Sequence, residues 1–180
     1  LVILVLTATV IFSPYGRQEG FSCKLIKNTI EINVSADSVF KFLGNSKNAS
    51  KWSVFVDHII TLNTDSFTDG VPGSRRRCFC KADETGSKWD ELITETVANK
   101  KRQLVIYNMK EFSMSADGLA SEQIYEPLSE SKCRLTFTVF YKDNSPSIWE
   151  SMKTYIAAYK IKNIFEGNLS NIKRILETGK

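Results

Sequence analysis

The chain has 180 residues, 42% hydrophobic and 24% charged, with a formal net charge of +4. That length and balance exclude a disordered or collagen-like polymer and fit one globular domain with a sizeable core. The mild positive charge permits contact with anionic surfaces but does not single out nucleic acid.

Residues 1–12, LVILVLTATVIF, are almost wholly apolar. As a helix they would span roughly 18 Å, short of a ~30 Å hydrocarbon core. They read as part of a longer hydrophobic segment, either a membrane anchor or the core of a signal peptide. An ordinary buried strand is the third reading. Residues 1–13 are therefore set apart as a truncated hydrophobic segment, 14–23 as a polar linker, and 24–180 as the folded domain. The expected location is membrane-anchored by one amino-terminal segment, on either side; secreted or periplasmic is the alternative.

Residues 24–34 alternate: Ile26, Ile30, Ile32 and Val34 share one face, and Lys27, Thr29, Glu31 and Asn33 the other. That pattern predicts a half-buried strand. Ser35 then supplies a helix N-cap, with Asp37 in the first turn and Gly44 at the end of a short Val39-Phe40-Phe42-Leu43 helix. A second short helix is expected over 46–52. Strands follow at 58–63, 74–82, 88–97, 103–108, 119–126 and 132–141, separated by turns, among them Asp69-Gly70-Val71-Pro72-Gly73 and 127–131. The last of these strands is the cleanest, with Cys133, Leu135, Phe137, Val139 and Tyr141 on one face.

Residues 146–177 predict one long helix. Pro146 suits a first turn, Ser145 or Ser147 a cap, and an apolar stripe runs from Ile148 to Leu176. The stripe slips between Tyr159 and Ile161, and Gly167 marks a place where the helix can bend. The order is strand, two short helices, six strands, long helix. The fold class is α+β: a seven-stranded curved antiparallel sheet wrapped around a long carboxy-terminal helix, with the two short helices between strands 1 and 2. Such a sheet leaves a space beside the helix too wide for side chains to fill.

Four cysteines, Cys23, Cys78, Cys80 and Cys133, lack paired CxxC spacing. They read as small buried hydrophobes, with a disulfide to Cys133 as the alternative. No metal or cofactor is expected. His58 is the only histidine and reads as a surface or capping residue. Glu91 is the one weak catalytic candidate. If the Trp89 face of its strand lines the cavity, it is a carboxylate in apolar surroundings, suited to acid chemistry or to a ligand's polar group. Otherwise it is solvated. Arg75-Arg76-Arg77 reads as a solvated edge, or places one arginine against a ligand carboxylate or lipid phosphate. Lys100-Lys101-Arg102 reads as surface charge in a turn. Wide side chains on the facing elements form the candidate ligand-binding set: Trp52, Phe55, Trp89, Tyr107, Tyr125, Phe137, Tyr141, Trp149, Met152, Tyr155 and Tyr159. Plain core packing is the competing reading.

The run Ile30-Glu31-Ile32-Asn33-Val34-Ser35-Ala36-Asp37-Ser38-Val39-Phe40-Lys41-Phe42-Leu43 followed by Lys51-Trp52-Ser53 resembles the opening of the SRPBCC superfamily. Gly70 and Gly73 resemble its glycine turn, and Trp89 to Glu95 with Arg102-Gln103-Leu104 its middle hairpin. The resemblance covers about residues 24–177. It implies the helix-grip fold of START lipid-transfer domains and polyketide cyclase/dehydrase-like proteins, and an apolar ligand cavity. It implies no single reaction, since members include carriers, sensors, cyclases and hydroxylase subunits. Bacterial relatives often carry an amino-terminal membrane segment. The function expected is binding or transport of a hydrophobic or amphipathic, lipid-like small molecule, more a carrier than an enzyme. A cyclase/dehydrase-like or hydrolytic enzyme with an acid in the cavity is the alternative, and a scaffold with a filled core the third reading.

Overall fold

The computed structural model describes residues 2–15, 23–112, 118–142 and 148–179. A first helix, α1 (Val2–Ile11), is followed by β1 (Cys23–Ile32) and α2 (Ala36–Gly44). A 3-10 turn (Ser46–Asn48) and a one-turn helix, α3 (Ala49–Trp52), lead into β2 (His58–Thr61) and β3 (Arg75–Phe79). Then come β4 (Lys88–Val97), β5 (Lys101–Lys110), β6 (Ala120–Ser129), β7 (Lys132–Lys142) and the 31-residue α4 (Ile148–Thr178). The seven strands form one antiparallel sheet in the order β1-β7-β6-β5-β4-β3-β2. The α+β helix-grip architecture read from the sequence is present, with short helices between β1 and β2.

Local chemistry accounts for the elements. Ser35 caps α2 as its spacing predicts, its hydroxyl oxygen accepting from the Ser38 amide. Register shifts between Lys88 and Asp90 and between Ile93 and Glu95 interrupt the β4–β5 ladder. Bulges of this kind bend a strand and increase its local twist. The turn expected at 127–131 is shorter: β6 runs on through Pro127 to Ser129, with a register shift at that proline. Proline lacks the ladder donor, and an irregular, exposed strand end tolerates the loss. The third strand stops at Phe79 rather than 82. The helix α4 runs as one element through Gly167, the place where the sequence allowed a bend. Pro146 and its serine caps lie outside the described residues.

Two apolar clusters fix the layers. Ile32, Val39, Leu43, Leu135, Leu169 and Ile172 join β1, α2, β7 and the carboxy half of α4. Ile26, Leu119, Val139 and Ala158 join the sheet to the middle of α4. The helix thus closes on β1, where Lys173 Nζ donates to the Glu31 carbonyl at 2.7 Å and the Asn33 amide to Glu177 Oε1 at 2.7 Å. On the convex face Asp90 is 3% exposed, held by Arg77 at 2.6 and 2.9 Å and by Asn108 at 2.9 Å. The hydrogen bond from Arg77 first, and Asn108 with it, keeps the Asp90 carboxyl below its usual range against the opposing effect of burial. Stability from this group is present above the unfolded carboxylate pKa and is lost as pH falls through the lower folded value. Asp90→Asn is therefore expected to flatten the acid limb of urea midpoints measured from pH 6 down to 3.

Gly70 carries one specific requirement. Its φ is +79°, and a Cβ there would sit 2.6 Å from the Gly44 carbonyl oxygen. The turn from 69 to 73 is pressed against the end of α2, where Asp69 also accepts from the Ser46 amide at 2.7 Å and hydroxyl at 2.8 Å. Gly70→Ala is expected to cost about 1–3 kcal/mol from backbone strain alone, read from denaturant unfolding.

Candidate functional site: a cavity between the sheet and the long helix

Side chains on α4 face the inner surface of β3 to β7 across a gap that they do not fill. The gap is a cavity of about 240 Å³. Its sheet wall carries Arg76, Cys78, Trp89, Glu91, Leu104, Ile106, Gln123 and Phe137; its helix wall carries Ala157, Lys160, Ile161, Ile164, Phe165 and Asn168. Trp52 at the end of α3, with Phe55 and Phe112 from the loops, closes it. That volume is many times what a single water needs.

Alternation decides which residues arrive. On β4, Trp89, Glu91 and Ile93 point inward while Asp90 points out to Arg77. On β3 the arginine run splits: Arg75 is exposed, Arg76 is 6% exposed and lines the cavity, and Arg77 faces outward. Arg76 Nε donates to Glu91 Oε2 at 2.6 Å, and Trp89 Nε1 donates to Glu91 Oε1 at 2.9 Å. Burial opposes the charge on Arg76, yet the Glu91 carboxylate outweighs it and holds the guanidinium above its ordinary value. Both oxygens of Glu91 are thus engaged as acceptors. This differs from the expectation of a carboxyl in purely apolar surroundings, because the arginine one strand away faces the same cavity.

A second buried cation stands behind the wall. Arg102 is 2% exposed and not in the solvated turn expected for it, because β5 begins at Lys101 and turns the side chain inward. Its Nη1 donates to Tyr125 Oη at 2.9 Å and to Gln123 Oε1 at 3.2 Å, and its Nη2 to the Phe40 carbonyl at 3.3 Å. The guanidinium lies 4.4 Å from the Phe40 ring centre. Here the π face and the carboxy-terminal end of α2 do the work of a carboxylate. Burial holds this guanidinium below its ordinary value and pushes the Tyr125 phenol up.

Of the aromatic set expected from the sequence, Trp52, Phe55, Trp89 and Phe137 line the cavity. Phe55 stacks on Trp89 at 5.8 Å, and both meet Phe112 edge-on. The others are placed elsewhere. Tyr125 is 1% exposed and sits behind the wall, where its hydroxyl donates to Gln123. Tyr107 falls on the outward parity of β5, since Leu104 and Ile106 point in. Tyr155 meets Tyr15 edge-on at 5.4 Å, and Tyr159 Oη donates to the Thr9 carbonyl at 3.2 Å. These contacts face α1, which covers the amino-terminal half of α4. Met152 is half-buried and outside the lining, Trp149 is 71% exposed, and the Tyr141 side chain lies outside the described residues. The apolar residues of α4 are shared among several neighbours: Tyr159 meets α1, Ile161, Ile164 and Phe165 line the cavity, and Leu169 and Ile172 pack with β1, α2 and β7.

His58 lies away from the cavity, stacked on Phe79 at 4.8 Å with Nδ1 2.8 Å from Asp57 Oδ2. Cys78, Cys80 and Cys133 are free thiols. Burial first, and the nearby Glu91 carboxylate, push the Cys78 thiol well up. Among the described residues no group of acidic, cysteine and histidine side chains is arranged to hold a metal ion. Among the same residues no helix is long and apolar enough to cross a membrane. Phe112, Gln123 and Asn168 were missed by the sequence reading, and Arg76 stood in it only as one of a run of three, with a solvated edge or one arginine against a ligand acid as the two readings. Strand parity with Cys78 would have found Arg76; nothing local marks the other three.

A curved sheet closed on a long helix around an unfilled cavity defines a helix-grip domain. The chain belongs to the polyketide cyclase / dehydrase and lipid transport family, whose model matches residues 25–177. Comparison with curated proteins returns no match. Among solved structures, norcoclaurine synthase from Thalictrum flavum, in complex with dopamine and hydroxybenzaldehyde, is 11% identical. That match covers 92% of this chain and 95% of the other, with a TM-score of 0.62. The di-domain ARO/CYC BexL from the BE-7585A biosynthetic pathway is 13% identical over 85% of this chain and 46% of its own, TM-score 0.62. The Aha1 dimer from Colwellia psychrerythraea is 20% identical over 87% and 98%, TM-score 0.59. At these identities the likeness is one of fold alone.

Proposed function

We propose that the protein binds and carries an apolar or amphipathic small molecule in the cavity between sheet and α4. The observation that carries this reading is the unfilled space of about 240 Å³, walled by Trp52, Phe55, Trp89, Phe137, Ile161 and Ile164. A core of this size closes such a gap unless the gap is used, since interiors pack to near-crystal density. A family that combines lipid transport with cyclase and dehydrase members supports the ligand class. The engaged oxygens of Glu91 favour carriage over acid catalysis, because Arg76 and Trp89 already hold both of them in a structural bridge. Purification from the native host under mild conditions, followed by solvent extraction and mass spectrometry, tests the reading. A stoichiometric apolar or amphipathic molecule is the expected result; an empty cavity that takes up no apolar fluorescent probe overturns it.

The reading extends to a membrane tether. The outer face of α1 exposes Ile3, Leu4, Ile11 and Phe12, and the helix carries no charged residue. Interfacial seating of this helix predicts co-flotation with liposomes that is lost when residues 1–12 are deleted.

A further inference from the structure

On the buried amide and charged side chains of the cavity wall, every oxygen already accepts a hydrogen bond, while several N–H groups have no protein partner. Arg76 uses Nε on Glu91 and has no other hydrogen bond among the described residues, which leaves its Nη donors free. Gln123 is 8% exposed. Its Oε1 accepts from Arg102 and from Tyr125, which fixes the orientation of the amide and turns its NH2 away from them. Asn168 is 6% exposed, and its Oδ1 accepts from the Val54 amide at 2.8 Å, which leaves its NH2 unpartnered. Trp52 adds a buried indole N–H with no partner. Meanwhile every side-chain oxygen of Glu91, Gln123 and Asn168 already accepts at least one hydrogen bond. Of these donors the Trp52 indole N–H is fully buried, at a cost of about 1–3 kcal/mol while unmet; those of Arg76, Gln123 and Asn168 have no protein partner at a wall that an incoming acceptor can reach.

Charge points the same way. The lining carries two cations, Arg76 in its pair with Glu91 and the solvent-exposed Lys160 at the rim, against the one carboxylate of Glu91. Lys160 Nζ lies 5.3 Å from the Phe55 ring centre and, among the described residues, pairs with no carboxylate. Arg102 adds a second guanidinium behind Gln123, polarising the amide whose NH2 faces the cavity.

We propose that the guest is an acid: a carboxylate on an apolar chain or ring system, its oxygens taken up by the free N–H donors of Arg76, Gln123 and Asn168. This deepens the carrier reading and rests on it. An amine or quaternary ammonium head would meet donors and positive charge, and an uncharged alcohol would satisfy fewer of them. The site therefore discriminates by head group at equal chain length.

The test uses the full chain and displacement of an apolar fluorescent probe by decanoate, decanol and decylamine near neutral pH and at physiological salt. Decanoate is expected to bind at least about tenfold more tightly than decylamine, with decanol between. Gln123→Glu keeps an acceptor for Arg102 and Tyr125 but replaces the free NH2 by a negative charge; it is expected to lose most of the decanoate preference. Asn168→Asp does the same on the helix wall while keeping the bond from Val54, so a folding defect in one variant leaves the other to report. If decylamine binds as well as decanoate, or if the folded variants keep the full preference, the acid guest is overturned and the carrier reading stands. If none of the three displaces the probe and the probe itself does not bind, both fall.

Discussion

Arg76→Met is expected to lower the free energy of unfolding by about 3–5 kcal/mol, among the largest losses available to a single change in this fold. The reason is the residue left behind. Glu91 is 8% exposed, and without Arg76 its charge is met only by the Trp89 indole N–H. The double variant Arg76→Met with Glu91→Leu removes the orphaned charge and fills similar volume. It is expected to recover most of the loss, because a buried ion pair traded for packed hydrophobes is close to neutral. Denaturant unfolding of wild type, both single variants and the pair forms the thermodynamic cycle. A single Arg76→Met variant within 1 kcal/mol of wild type would show that the pair is solvated, and with it that the cavity is open to bulk water.

Ala157→Phe is the second large effect. Ala157 lies on the helix wall of the cavity, facing the sheet across the gap. A benzyl group there enters empty space instead of a packed core. The usual penalty of about 1–3 kcal/mol for enlarging a buried residue is therefore not expected, and a small gain is. Binding of any apolar probe should fall by at least about tenfold, since the added ring occupies the guest's volume. Thermal unfolding and probe titration on the same sample read the two results. A destabilised variant that still binds would place the guest elsewhere.

The fold was legible because its signals are local. Alternation at Ile26, Ile30 and Ile32 marks β1, the Ser35 cap starts α2, and the turns between strands carry their own glycines and asparagines. The site was legible only where a side chain's parity followed from one strand. Trp89 and Glu91 share a face, so placing one places both. Arg76 was hidden inside a run of three arginines that looks solvated; its role depends on Cys78 pointing inward from the same strand. Gln123 and Asn168 carry no signal, because their importance lies in what occupies their oxygens: Arg102 and Tyr125 for one, the Val54 amide for the other. The tyrosines of α4 misled for a related reason. Periodicity counts apolar faces but does not say which neighbour covers each, and α1 takes Tyr155 and Tyr159 away from the cavity.

The carboxy-terminal turns of α4 have a consequence beyond ligand carriage. The strand β1 is the outermost member of the sheet, and Lys173 and Glu177 latch onto its Glu31 carbonyl and the Asn33 amide just beyond it. Those turns cap the Glu31 end of a border strand that would otherwise recruit strands from other molecules. Trimming the last few turns would then show itself first as turbidity on storage, before any change in what the protein carries.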